Sequence, residues 1–231
     1  MSRRIVAVLA LATLGSMVPA FAEGVTVASA TLDTYGTCVL SGVAATSTAV
    51  ADIMVDQKKP NANSDSASPM DVQSRTSQNR RVYVRFDLTL CSPAIPVTAT
   101  IVDARLDLFV IARAAVCRTI DVFLLTATWA ENTITWNNQS VGTSINNPPT
   151  AERSAFTTIG ASSCTYSTNE TYASWTLTAD AQSFVNGTAV NYGWLLRDDN
   201  ENGGTTYLTS FSTSEENSAA RAPRLVITYR P

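Results

Sequence analysis

An all-β fold, a jelly-roll sandwich of two mainly antiparallel sheets with one short helix, is what this sequence predicts. Three observations carry it. Apolar and polar residues alternate at period two through much of the chain, turn-forming Gly, Asn and Pro separate the alternating segments, and a single stretch has helical spacing.

The clearest strand is RVYVRFDL, where Val82, Val84, Phe86 and Leu88 point one way and Tyr83, Arg85 and Asp87 the other, as expected with one wall on a core. ARLDLFV repeats the habit with Ala104, Leu106, Leu108 and Val110 on one face. A Cys-containing connection leads on to Ile120, Val122 and Leu124, and these two segments are expected to pair antiparallel. ASWTL, NYGWLLR, TYLTSF and PRLVITY alternate likewise, giving at least seven strands. For the helix, Thr178 is the expected cap, Ala181, Phe184 and Val185 fall at helical spacing, and Gly187 can close the end. The predicted core comprises Val82, Val84, Phe86, Leu106, Leu108, Val122, Trp175, Leu177, Trp194, Leu196, Leu225 and Ile227.

Residues 1–22 read as a secretory signal peptide: Arg3 and Arg4 supply the positive end, Ile5 to Leu14 the apolar stretch, and Ala20-Phe21-Ala22 the cleavage site. Gly15, Ser16 and Pro19 break the apolar run before it reaches the ~20 residues of a membrane span. The expected product is a secreted protein, extracellular or at the cell surface. Residues 23–48, rich in Thr, Ala and Ser, form an extra edge strand or a loose arm, and 49–231 one sandwich domain.

Losing Arg3 and Arg4 reduces the 16 basic residues to 14 against 19 acidic, a net charge of −5. Nucleic acid is thereby excluded as the main partner, because binding it relies on an excess of Lys and Arg at the phosphates. An even number of cysteines, Cys38, Cys91, Cys117 and Cys164, in an exported chain predicts two disulfides. Of three possible connectivities, joining sequence neighbours gives Cys38–Cys91 and Cys117–Cys164. The chain has no His and no CxxC pair, which argues against structural zinc. Without His, Ser-His-Asp and Cys-His catalysis are impossible, and the expectation is a protein that is not an enzyme.

The order of motifs resembles the DNRLRE domain family, which overlaps a carbohydrate-binding module family of jelly-roll domains. ADIMVDQKKPNANSDS (51–66) is similar to its opening Asp-Val strand and Pro-Asn-rich loop, followed by RRVYVRFDL, IVDARLDLFV, the TWAENTITWNNQS turn, SWTLTADAQSFVNGTAVNYGWLLRD and RAPRLVITY. The likeness runs from about Ala49 to Tyr229; it departs at Ser140, where the family has Pro, and in the cysteines. It implies a jelly roll, and, because some members bind acidic polysaccharides such as alginate, an exported carbohydrate-binding domain. The alternative it leaves is a structural or adhesive surface component that self-assembles.

For an acidic glycan the candidate contacts are basic: Lys58 and Lys59 in the Pro-Asn loop, Arg80 and Arg81 at a strand start, and Arg113 and Arg118 around Cys117. Trp175 and Trp194 lie on apolar strand faces and read as core, while Trp129 and Trp136 flank Glu131 in a turn they can lock as readily as they can stack on a sugar. No cofactor is expected apart from calcium: Asp198, Asn200 and Asn202 reproduce the first half of a calcium loop. The second half is missing, since Thr209 stands where the bidentate Glu belongs, so a hairpin between NYGWLLR and TYLTSF, with Asn202-Gly203 at positive φ, is the preferred reading.

Overall fold

The computed structural model describes residues 34–42, 48–65, 67–139, 152–216 and 218–231, all within the unit Asp33–Pro231. The signal segment 1–22, residues 23–33 and 43–47 of the predicted arm, and Ser140 lie outside the described residues.

Eleven strands and one α-helix are described: β1 (Gly36–Ser41), β2 (Val50–Asp56), β3 (Met70–Ser74), β4 (Arg80–Phe86), β5 (Thr100–Ala112), β6 (Arg118–Leu124), β7 (Ala155–Ile159), β8 (Thr171–Thr176), α1 (Thr178–Val185), β9 (Trp194–Asp198), β10 (Tyr207–Phe211) and β11 (Arg224–Arg230). All pairings between these strands are antiparallel. One layer runs β2-β4-β9-β6-β7. In the other, β1 and β11 lie along one edge of β5, β10 continues that edge with β3 beyond it, and β8 takes the opposite edge. The layers are joined by a single pair, Gln73 with Arg80, at the turn between β3 and β4.

The alternating apolar residues of both layers face each other in one core, which contains all twelve residues predicted for it. Trp175 of β8 crosses that core, and its indole N–H donates to the Ile120 carbonyl of β6 at 3.0 Å. Burial of a Trp indole requires such a partner for its N–H. Helix α1 closes one end: Phe184 lies against Trp194 with ring centroids 5.4 Å apart, and Asp180 accepts the Trp194 indole N–H at 2.8 Å. Disulfides Cys38–Cys91 and Cys117–Cys164 join the sequence-adjacent pairs. The first ties β1 to the segment after β4, so it links the two layers.

Several sequence-based expectations need correction. β5 and β6 are not partners, for β5 is edged by β11, β10 and β8 while β6 sits between β9 and β7. Alternation defines which face of a strand is buried, and a crossing between layers preserves that face as well as a hairpin does. Nor do β9 and β10 form a hairpin, since they belong to different layers. Asn202 does have positive φ, +63°, but its turn folds onto the β3–β4 connection, where its N–H donates to Asn79 Oδ1 at 2.9 Å. Thr178 does not cap α1; its hydroxyl accepts the Ala104 N–H at 3.1 Å instead. Gly187 closes the helix at φ +73°.

A second apolar cluster explains the remaining departure. Tyr83, expected on the solvent side, is fully buried together with Ile53, Val55, Phe123 and Leu195, because the segment after β6, with Leu125, Trp129 and Ile134, covers the outer face of the β2-β4-β9-β6 layer.

Candidate functional site

The six candidate basic residues fall into two groups. Arg80 bridges Asp56 at 3.1 Å and Asp71 at 2.5 Å. Arg81 is 2% exposed and holds Glu201 through two hydrogen bonds of 2.8 and 2.7 Å, with its guanidinium 4.8 Å from the Trp136 ring centroid. Gln139 receives both Arg81 and the Tyr83 hydroxyl, and burial pushes that hydroxyl's pKa well above the ordinary phenol value. Arg118 grips Asp198 with two nitrogens, and this hydrogen bonding raises its own pKa. These three guanidiniums are matched by carboxylates inside the fold. Lys58 and Lys59 are exposed on the turn after β2 and make no ion pair among the described residues. Arg113, half-buried before Cys117, donates its backbone N–H to Asn169 Oδ1 at 3.0 Å and its guanidinium to the Ala114 carbonyl at 3.4 Å, with no ion pair among the described residues. Lys58 and Arg80 are brought together through Asp56, which also accepts the Lys58 N–H at 2.8 Å.

A concavity lies at the other end of β2 and β4. It is a cleft of about 440 Å³, floored by Phe86, Leu88 and Phe184 and rimmed by Arg85, Asp87 and Asn191. That volume is within the usual range for a small-ligand site. Arg85 extends from the outer face of β4, 5.4 Å from the Trp129 ring centroid, and its guanidinium has no ion pair or hydrogen bond among the described residues. Asn191 is held by the Phe86 carbonyl, to which its amide donates at 2.8 Å, and by the Gly193 N–H, which it accepts at 3.1 Å. Gly193 itself has φ +80°, and a Cβ there would stand 2.2 Å from the Val84 carbonyl oxygen, so only glycine lets β9 lie this close to β4. The glycine of NYGWLLR therefore shapes one wall of the cleft. Arg85 was legible as an outward residue on an alternating strand; what the sequence does not reveal is which outward residues stay uncovered.

Asp52, Glu131 and Glu215 form a third feature, at the open edge of β2. One carboxylate oxygen of each lies within 4.8 Å of the others. Glu131 Oε1 accepts the Asp52 N–H at 2.7 Å, and the Asp52 carboxylate accepts the Ser214 N–H at 3.0 Å and its hydroxyl at 2.8 Å. Burial, reinforced by the Glu215 charge, raises the Asp52 pKa well above the ordinary carboxylate value. Burial likewise pushes Glu131 up to about 7, with Glu215 adding to the shift and Arg85 opposing it.

At the half calcium loop, Asp198 is occupied by Arg118 and by the Asn200 N–H at 3.0 Å. Asn202 Oδ1 accepts from the Asn79 amide at 2.8 Å. Two of its three oxygen-bearing side chains are thus spent on protein donors.

The protein is thus a two-layer β-sandwich that carries an open cleft with apolar, amide and hydroxyl groups and one guanidinium outside any ion pair among the described residues. Its sequence matches carbohydrate-binding module family 96 over residues 43–229, and the chain belongs to that family. The carbohydrate-binding side of the DNRLRE resemblance is the part this match supports. None of the curated proteins compared with the sequence matches it.

Proposed function

We propose that the chain is an exported, non-catalytic carbohydrate-binding domain that takes acidic polysaccharide in the cleft between Arg85 and Asn191. Its family supports a carbohydrate as the ligand class. The observation that carries the acidic preference is the Arg85 guanidinium, which is open to a ligand and has no carboxylate partner of its own among the described residues. A guanidinium matches a sugar carboxylate with two parallel hydrogen bonds. Leu88 and Phe184 offer apolar contact to the ring, while Thr48 and Thr89 border the same space.

Binding without cleavage fits the carboxylates of this cleft. Glycoside hydrolysis uses two of them across the scissile bond. Asp87 is the one lining the cleft, and it accepts the Thr89 N–H at 3.0 Å and hydroxyl at 2.6 Å. Affinity electrophoresis of the exported protein against alginate and against a neutral glucan tests the reading. Retention by alginate, lost in Arg85→Ala and accompanied by no shortening of the polymer, is expected. Equal retention by the neutral glucan, or unchanged retention in Arg85→Ala, would refute it.

A further inference from the structure

We infer that Asp52, Glu131 and Glu215 form a site for a divalent cation, calcium by its chemistry, which joins the open edge of β2 to the segment after β10. Three sequence-distant elements meet here: Asp52 in β2, Glu131 in the turn after β6, and Glu215 beyond β10. Their three oxygens lie within 4.8 Å of one another, and no Lys or Arg forms an ion pair with any of them among the described residues. Elsewhere in the protein the buried carboxylates Asp107, Asp121 and Asp198 each hold an arginine. Like charges gathered away from bulk water and not ion-paired cost free energy that a bound cation lowers.

A second observation is independent of the spacing. Oε2 of Glu215 is wholly out of solvent and has no hydrogen-bond donor among the described residues, and Oε1, 3.0 Å from the Ser214 hydroxyl, competes with Asp52 for its single proton. A buried carboxylate oxygen left in this way lacks a partner that the protein does not supply. The available ligand atoms are all oxygens, the set preferred by hard cations. Two oxygens on one ion stand at most twice a bond length apart, about 5 Å for calcium and about 4 Å for magnesium. A triad contained within 4.8 Å is compatible with the span that one calcium ion bridges. The Ser214 contacts and the Asp52 N–H that Glu131 accepts hold two of the carboxylates in place beforehand.

This inference is separate from the glycan reading, and its test contains no glycan. The exported protein is stripped with EDTA, dialysed, and titrated with calcium chloride by calorimetry, with thermal unfolding in parallel. One calcium per chain and a rise in Tm are expected, with affinity at least tenfold weaker in Glu215→Gln and unchanged in Asn200→Ala, which alters the half calcium loop. Far-UV circular dichroism establishes that Glu215→Gln is folded; if it is not, Glu131→Gln provides the same comparison. Absence of both heat and Tm shift at millimolar calcium would overturn the site. So would wild-type affinity in the folded Glu variant, or loss of binding in Asn200→Ala, which would place the ion at Asp198.

Discussion

Glu131 accepts the backbone N–H of Asp52 at 2.7 Å, so a side chain 79 residues further along the sequence closes the exposed edge of β2. Edge strands present unpaired N–H groups that invite pairing with other chains, and a carboxylate on one of them blocks that pairing locally. The arrangement places a negative charge beside two others, Asp52 and Glu215, with Asp65 also acting on Glu131 and Arg85 opposing that shift.

A pH dependence follows, with a definite sign. Glu131 titrates at about 7 when folded and near 4.5 when unfolded, so the folded state holds its proton more tightly. The stability this provides is complete below pH 4.5 and is lost as the pH rises towards 7. In EDTA, Tm measured between pH 4 and 8 is expected to fall across that window. Glu131→Gln is expected to flatten the fall; an unchanged slope would show that Glu131 is not the group responsible.

Arg81 and Glu201 form a deeply buried ion pair. Their side chains are 3% and 6% exposed, so Arg81→Ala leaves a carboxylate in the interior with, among the described residues, the Arg197 guanidinium 3.6 Å away as its ion-pair partner. A loss of about 3 kcal/mol is expected in urea unfolding, the lower end for a broken buried pair. Arg118→Ala at Asp198 is expected to behave similarly, whereas Arg113→Ala, with no ion pair to lose, should be nearly neutral.

These contrasts separate what could be read in the sequence from what could not. Period two identified the buried face of each strand, so Val82, Leu106, Trp175 and Leu225 were recognisable as core. It carried no information on neighbours, and β5 and β6 ended in different layers. It also treated the opposite face as wet. Tyr83 and Arg81 share that face with Arg85, but the 125–139 segment covers the first two and leaves Arg85 at the cleft. The signals for that cover were the apolar residues on both faces of β9 and the W-x-E turn, whose Glu131 reaches Asp52. The carboxylate triad spans positions 52 to 215, and nothing local in the sequence unites them.

The two disulfides are expected to contribute comparably. Their sequence separations of 53 and 47 close loops of nearly equal length, and chain-entropy loss varies only with the logarithm of that length. Replacing either pair by Ser should cost roughly 2–4 kcal/mol in urea unfolding. A difference of more than about 2 kcal/mol between the pairs would show that native-state contacts, not loop closure, dominate.

Gly193→Ala is expected to damage both stability and the cleft. Its φ of +80° costs an alanine about 1–2 kcal/mol before any contact is counted. The new Cβ would also meet the Val84 carbonyl oxygen at 2.2 Å and the Arg85 Cα at 2.8 Å, so β9 must move away from β4. Urea unfolding should record a loss above about 2 kcal/mol, with weaker alginate retention in the fraction that remains folded. Unchanged retention would show that the cleft tolerates displacement of Arg85.

The last prediction concerns Lys58 and Lys59, which are exposed and without ion pairs but sit at the opposite end of β2 from the cleft. Arg85 is registered with Ala51, and Asp56 lies five positions further along the strand, a rise of about 17 Å. The Debye length at physiological salt is about 8 Å, so the two lysines are electrostatically remote from a sugar at Arg85. A short uronate oligosaccharide should therefore bind Lys58→Ala/Lys59→Ala as it binds the wild type, and lose affinity only in Arg85→Ala. A long polymer can lie along β2 and reach both ends, and its retention should fall in the double variant, more at 20 mM than at 150 mM salt as screening removes the contribution. Calorimetry with the oligosaccharide beside affinity electrophoresis with the polymer makes the comparison. Loss of oligosaccharide binding in the lysine variant would relocate the primary contact to the Pro-Asn loop.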